Sequence, residues 1–360
     1  MKKVFMFLLL MAVMSLSGFT QKNEKAIGVN LDYEINDQSE LFIDKYKSNM
    51  LAIENTEITK VFKGDTPISN IYKEEDLIYP TTPPEANFVT VGEAGNNTGN
   101  MAYSADGINW TIITVGTNFW LGVTYGNGKW VAVGSMGGIA YSADGINWTI
   151  ITVGAGDWNG VTYADGKFVA VGGDTIYSTD GINWSTPIAV GSEYFICVTY
   201  GDGKYVAAGN NSTMGYSTDG INWTIINVNG NKWYDVIYVN GGFVAVGSGI
   251  TMAYSTDGIN WTVIYASVNY WHGITYGDGK YVVVGWGVHM MYSTDAINWT
   301  TITVDSNNWN GITYGFGKFV AALFGGKMAY STDGINWTII RVATNVLASG
   351  NNWYGIAAKN

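Results

Sequence analysis

The chain has 360 residues, of which 13% are charged and 14% aromatic; it contains 47 glycines and carries a formal net charge of −11. Such a composition favours strands and tight turns over long helices. The acidic balance excludes a phosphate-tracking nucleic-acid surface, and the lone Cys197 excludes an internal disulfide or a thiolate zinc site.

Two lysines, an apolar run from Val4 to Val13 and small residues up to Thr20 read as a signal peptide over residues 1–20. The run is too short and too poorly flanked for a permanent membrane span. No cysteine follows it to carry a lipid, so a secreted or surface protein is expected. Residues 21–79 are rich in lysines and acids and contain no Trp. Within them, apolar and polar residues alternate around Gly64-Asp65, which predicts a hairpin over 58–79. These residues resemble short segments of phage tail and surface-fibre proteins. Residues 80–87, with TTPPEA at their centre, read as a stiff linker.

From Phe88 onward the chain repeats. YSADGINW and its variants begin at Tyr103, Tyr141, Tyr177, Tyr216, Tyr254, Tyr292 and Tyr330, at intervals of 38, 36, 39, 38, 38 and 38 residues. A period in that range marks stacked supersecondary units. Each unit reads as four strands. Strand A (VTY) ends in Asn-Gly or Asp-Gly, as at Asn127-Gly128 and Asp165-Gly166, the signal of a two-residue hairpin. Strand B (KFVAVG) is apolar throughout, strand C is MAYS, and strand D (WTIITV) follows the DGIN turn. Four strands repeated seven times predict an all-β, seven-bladed β-propeller over residues 88–360. The first unit starts at strand B and the last ends at strand A. The predicted closing blade therefore pairs residues 88–91 with 356–358, which removes exposed sheet edges.

Asp106, Asp144, Asp180, Asp219, Asp257, Asp295 and Asp333 each precede a Trp by four residues. Each Asp suits a turn in which its carboxylate accepts backbone N–H groups. A role repeated in every blade is that of a scaffold. The S-x-D-G-x-x-W string resembles the Asp-box, or bacterial neuraminidase repeat, one residue shorter than usual. That resemblance covers residues 88–360 and implies the sialidase-like propeller superfamily. Sialidases of that family clamp their substrate with three arginines, whereas this chain has only Arg341; the expectation is a non-catalytic member. Photosystem assembly factors have propellers of this general type as well, but the arginine patch those carry is absent.

No catalytic residues, metal site or cofactor are predicted. The carboxylates that vary between repeats, Asp157, Asp174, Asp235 and Asp305, form no recognisable acid–base pair, so a carbohydrate-active hydrolase is the alternative reading. A structural module of a surface or phage-like assembly is a second.

The B–C and D–A loops vary between repeats and are expected to open on one face, opposite the C–D hairpins. Nearly every D–A loop ends in an aromatic: Trp120, Trp158, Phe195, Trp233, Trp271, Trp309 and Trp353. Flat aromatic faces beside amides suit sugar rings, so these are candidate ligand contacts together with Asn118, Asp157, Glu193, Lys232, Tyr270, His272, Trp286 and His289. A glycan or a protein is the expected partner.

Overall fold

The computed structural model describes residues 85–359 except 95–97, 192, 231, 250, 266–269, 288, 305–307 and 343–351, and only strand backbone among the residues before them. The chain divides into two compact units, Met1–Pro84 and Glu85–Asn360. In the first, Lys60–Lys63 pairs antiparallel with Thr66–Pro67, and Asn70–Lys73 pairs antiparallel with Asp76–Pro80; Gly64 and Asp65 lie outside the described residues. The signal-peptide stretch is described only at Lys2–Lys3 and Met11–Ala12, and linker residues 81–84 lie outside the described residues.

The second unit is the seven-bladed propeller. Seven four-stranded antiparallel sheets each run A, B, C, D in strand order. In the closing blade the order is Thr111–Thr114, Thr98–Ser104, Phe88–Ala94, Asn352–Ala358, so strand A comes from the C-terminus and the rest from the N-terminal end of the repeats. Phe88 lies opposite Ala358 and Val91 opposite Gly355. The backbone N–H of Lys359 donates to Asn87 O at 2.7 Å, and its ammonium pairs with Glu85. The two ends of the repeat region are thereby held in one blade, which closes the ring.

The local chemistry accounts for each strand. The A–B turns place Asn127 at φ 47° and Gly128 at φ 72°, the left-handed pair that a two-residue hairpin requires. Strand B, as in Lys167–Gly172, is buried at five successive residues because a blade covers each of its faces. Strand D, as in Thr149–Thr152, is short, threonine-rich and mostly exposed, which suits an outer edge.

One irregularity recurs in strand A. Its pairing with strand B shifts register between the first and third residues, for example between Trp120 and Gly122. The same bulge occurs in the other blades. A bulge re-aims the unpaired residue. Here the second residue of strand A is turned into the central channel. The third is glycine in five blades because it abuts the next blade: a Cβ on Gly122 would come within 2.8 Å of Asn159 O.

The B–C loops are bonded to the D–A loops of their own blades. Ser135, Ser248 and Trp286 donate backbone N–H groups to Phe119, Lys232 and Tyr270 carbonyls at 2.9, 2.7 and 2.9 Å. Both loop sets therefore open on one face, around one mouth of the channel.

Candidate functional site: the channel mouth

The seven aspartates have a single geometry. Asp144 Oδ1 accepts the Ile146 and Asn147 N–H groups at 2.8 Å and the Ser142 hydroxyl at 2.8 Å, while Oδ2 accepts the Asn147 amide at 2.8 Å. The other copies, such as Asp219, repeat it. Burial alone would raise the Asp144 carboxyl, but the bonds led by Asn147 N–H outweigh it and hold the group at about 2. In Asp180, Asp219 and Asp257 the Asn bonds likewise hold the carboxyl below the usual range. Every lone pair that matters is committed to the turn.

The aromatic ring proposed from the sequence requires correction. Trp120, Trp158, Phe195, Trp233, Trp271, Trp309 and Trp353 are at most 1% exposed. They wedge between blades: Trp233, for instance, packs among Val206, Met214 and Ala245. The Trp120, Trp158 and Trp233 indoles also donate to the carbonyls of Val115, Val153 and Val228 at 2.8, 3.0 and 3.4 Å. Strand alternation turns the first residue of strand A into the core, so these rings offer no face to a ligand.

Three polar candidates pin loops. Asn118 donates to Ser135 O at 2.9 Å, Asp157 accepts Met136 N–H at 2.9 Å across two blades, and Glu193 accepts the Thr213 hydroxyl at 2.6 Å. His289 stands opposite Thr303 on strand C, with Nδ1 3.5 Å from the Thr hydroxyl. Among the described residues no group of three His, Cys, Asp or Glu is placed to hold a metal ion.

The remaining candidates converge. A cavity of about 640 Å³ occupies the channel mouth on the loop face. Its wall in blades five and six is a continuous ladder. The Lys232 ammonium lies 4.8 Å from the Tyr234 ring centroid, Tyr234 stacks on His272 at 4.1 Å, and His272 stacks on Trp286 at 4.9 Å. Tyr270 closes it, 5.6 Å from Trp286. Trp286 and Tyr270 are 40% and 48% exposed, whereas the middle of the ladder is sunk in the wall. Burial, and then the Lys232 charge, lower the His272 imidazole to about 4, so it is neutral at physiological pH. Its Nε2 is buried without a hydrogen-bond partner among the described residues. Burial also lowers the Lys232 ammonium.

Beneath the ladder lies Asp235, one of the carboxylates that vary between repeats. It sits within strand Trp233–Val239, at a position that is glycine in five blades. Its carboxylate accepts Val236 N–H at 2.9 Å and, from the next blade, Ile274 N–H at 3.0 Å. Burial raises it to about 7 despite those bonds. Cys197 holds the equivalent position one blade earlier and is buried.

The site also contains residues the loop comparison missed. The second residue of strand A in blades one to seven is Tyr354, Leu121, Asn159, Ile196, Tyr234, His272 and Asn310, and all seven line the cavity. Asn159 and Asn310 donate to carbonyls of the next blade, Phe195 O and Trp353 O, at 2.7 Å each. Tyr354 donates to Glu93 at 2.8 Å. The signal was present in the repeats, because this column varies inside an otherwise near-constant strand.

No family model and no curated protein matches the chain. Among solved structures, it is similar to YCF48 bound to a D1 peptide, with 19% identity and a TM-score of 0.54 over 66% of this chain and 86% of that one. It is also similar to YCF48 from Cyanidioschyzon merolae, with 17% identity and a TM-score of 0.51 over 65% and 88% of the two chains. The Pan2 WD40 domain of Neurospora crassa gives 7% identity and a TM-score of 0.51 over 62% and 78%. At these identities the likeness shows the propeller fold.

Proposed function

We propose that this protein is an exported, non-catalytic recognition propeller that takes its partner at the channel mouth on the loop face. The observation that carries this reading is the pattern of variation. The C–D hairpins are held identical by turn chemistry, while the seven residues turned into the mouth are of five different types. A scaffold conserves what positions the chain; specificity resides in what differs. The mouth combines apolar side chains with placed polar groups, among them Asn159, Lys232, His272 and Asn310, that can orient a ligand. Its described lining holds a single carboxylate, Asp235, and an acid–base pair for glycoside hydrolysis requires two. The likeness of the Asp turns to the Asp-box is read as shared scaffold. The peptide-bound YCF48 structure supports partner binding by a propeller of this kind.

Glycan and peptide arrays probed with the full chain and with His272→Ala test the reading. A hit weakened at least about tenfold by His272→Ala supports it. Hits indifferent to that change, and lost instead when Ile297 on the opposite face is replaced by Asp, overturn it.

A further inference from the structure

We propose that the ligand class of the mouth is a short oligosaccharide of the uronic-acid kind, with one ring on Trp286 and Tyr270 and the carboxylate of a neighbouring ring on Lys232. The proposal rests on the recognition reading above and adds the chemistry.

Size comes first. A cavity of about 640 Å³ is a well for one or a few rings rather than a groove for an extended chain. Peptides commonly dock by adding a strand to a free sheet edge, and the bulge near the start of every strand A interrupts that edge at the mouth.

Shape follows. Trp286 and Tyr270 present partly exposed faces at the rim of the ladder, where the C–H face of a saccharide can lie flat. The walls supply a side-chain acceptor. Asn159 and Asn310 commit their NH₂ groups to neighbouring carbonyls; the Asn159 amide oxygen accepts the Tyr194 hydroxyl at 3.4 Å, and the Asn310 amide oxygen is the acceptor that remains for a sugar hydroxyl.

Charge decides the rest. The repeat region carries sixteen acids against nine basic residues, yet the one Lys or Arg among the described residues of the mouth is Lys232. Its ammonium is half-buried on the Tyr234 ring and has no ion-pair partner among the described residues. Asp235, the nearest acid by sequence, directs its carboxylate to the Val236 and Ile274 N–H groups. A partly desolvated cation without a counter-ion is costly, and a ligand anion offsets that cost. One ammonium matches one monoanionic carboxylate. A dianionic phosphate calls for further cations, which this acidic ring does not provide.

The test is calorimetric titration of the full chain with glucuronate, galacturonate and mannuronate oligomers, each beside its carboxyl-reduced counterpart. At least one acidic oligomer is expected to bind about ten- to a hundredfold more tightly than its reduced form. Lys232→Met should erase that difference, Lys232→Arg should retain most of it, and Trp286→Ala should weaken both forms alike. Equal affinity for acidic and reduced oligomers, or a difference indifferent to Lys232→Met, overturns the assignment. Peptides bound in a His272-dependent manner with no oligomer bound would overturn the sugar assignment and leave the recognition reading standing. If neither class binds at the mouth, both fall.

Discussion

The two faces of the ring are built from the same repeats and obey opposite rules. On the C–D face each blade presents the same Ser-x-Asp turn with the same bonds, from Asp106 to Asp333. At the channel mouth no two adjacent blades present the same residue at the second position of strand A. The difference teaches where selection for folding ends. A turn that satisfies its own backbone has one good solution, so it recurs. A bulge that aims a side chain into the channel fixes the backbone and leaves the residue type open, so different side chains can serve recognition there.

That contrast is broken most forcefully through tryptophan. Trp271 and Trp286 are fifteen residues apart in one blade, but the first is 0% exposed between blades and the second lines the mouth. Trp271→Ala is expected to cost about 3–5 kcal/mol, through lost burial and the cavity left behind. Trp286→Ala, which removes a partly exposed ring stacked on His272, should cost less, about 1–2 kcal/mol. Urea denaturation midpoints of the two variants measure the difference. Comparable losses would mean that the mouth ladder holds blades five and six together.

The acids of the two faces should give stability opposite slopes with pH. The turn carboxylates have depressed folded values, so what they contribute is present above about pH 4 and is lost as pH falls toward 2 and below. Asp235 is raised from 3.8 to about 7. The stability that accompanies its neutral form is complete below about pH 4 and is lost as pH rises to about 7, by up to about 4 kcal/mol. His272 opposes it over the same range: its imidazole is lowered from 6.5 to about 4, so up to about 3 kcal/mol is lost as pH falls from about 6.5 to 4. The two nearly offset in the wild type, so the Asp235 slope is read in a His272→Ala background, where stability should decline from about pH 4 to 7. Adding Asp235→Asn should flatten that decline and leave the acid limb in place. A His272→Ala curve already flat between pH 4 and 7 would show that Asp235 ionises normally in the folded chain.

Much of the fold was legible in the sequence because it rests on local chemistry repeated seven times. The Asn-Gly and Asp-Gly turns, the apolar strand B and the split closing blade all follow from short-range patterns. The site was half legible. Lys232, Tyr270, His272 and Trp286 stood out as unshared residues, and they share one ladder. Tyr234, which joins Lys232 to His272, did not, because it lies inside a strand rather than in a loop. The bulge is what turns it into the channel, and a bulge in an inner strand leaves no turn residue to announce it. The recurrent Trp120-type rings misled for the same reason: loop composition says nothing about which side of the pleat a residue takes.

The smallest expected effect concerns the one hairpin that departs from the common form. Six C–D turns place glycine at φ 72–77°, whereas blade six has Ala296 at φ 61°. For an L-residue the left-handed region costs roughly 1–2 kcal/mol. Glycine returns roughly 0.5–1 kcal/mol of that through its freer unfolded chain. Crowding adds to the strain, since a Cβ at the equivalent Gly334 would stand 2.9 Å from Val282 Cγ2. Ala296→Gly is therefore expected to stabilise the ring by about 0.5–1 kcal/mol, and Gly258→Ala next door to cost a similar amount. Chemical denaturation of both variants reads the pair. If Ala296→Gly destabilises, the methyl group contributes packing against Val244 and Met291 that outweighs the backbone strain, and uniformity of the hairpins would owe less to the left-handed turn than the other six copies imply.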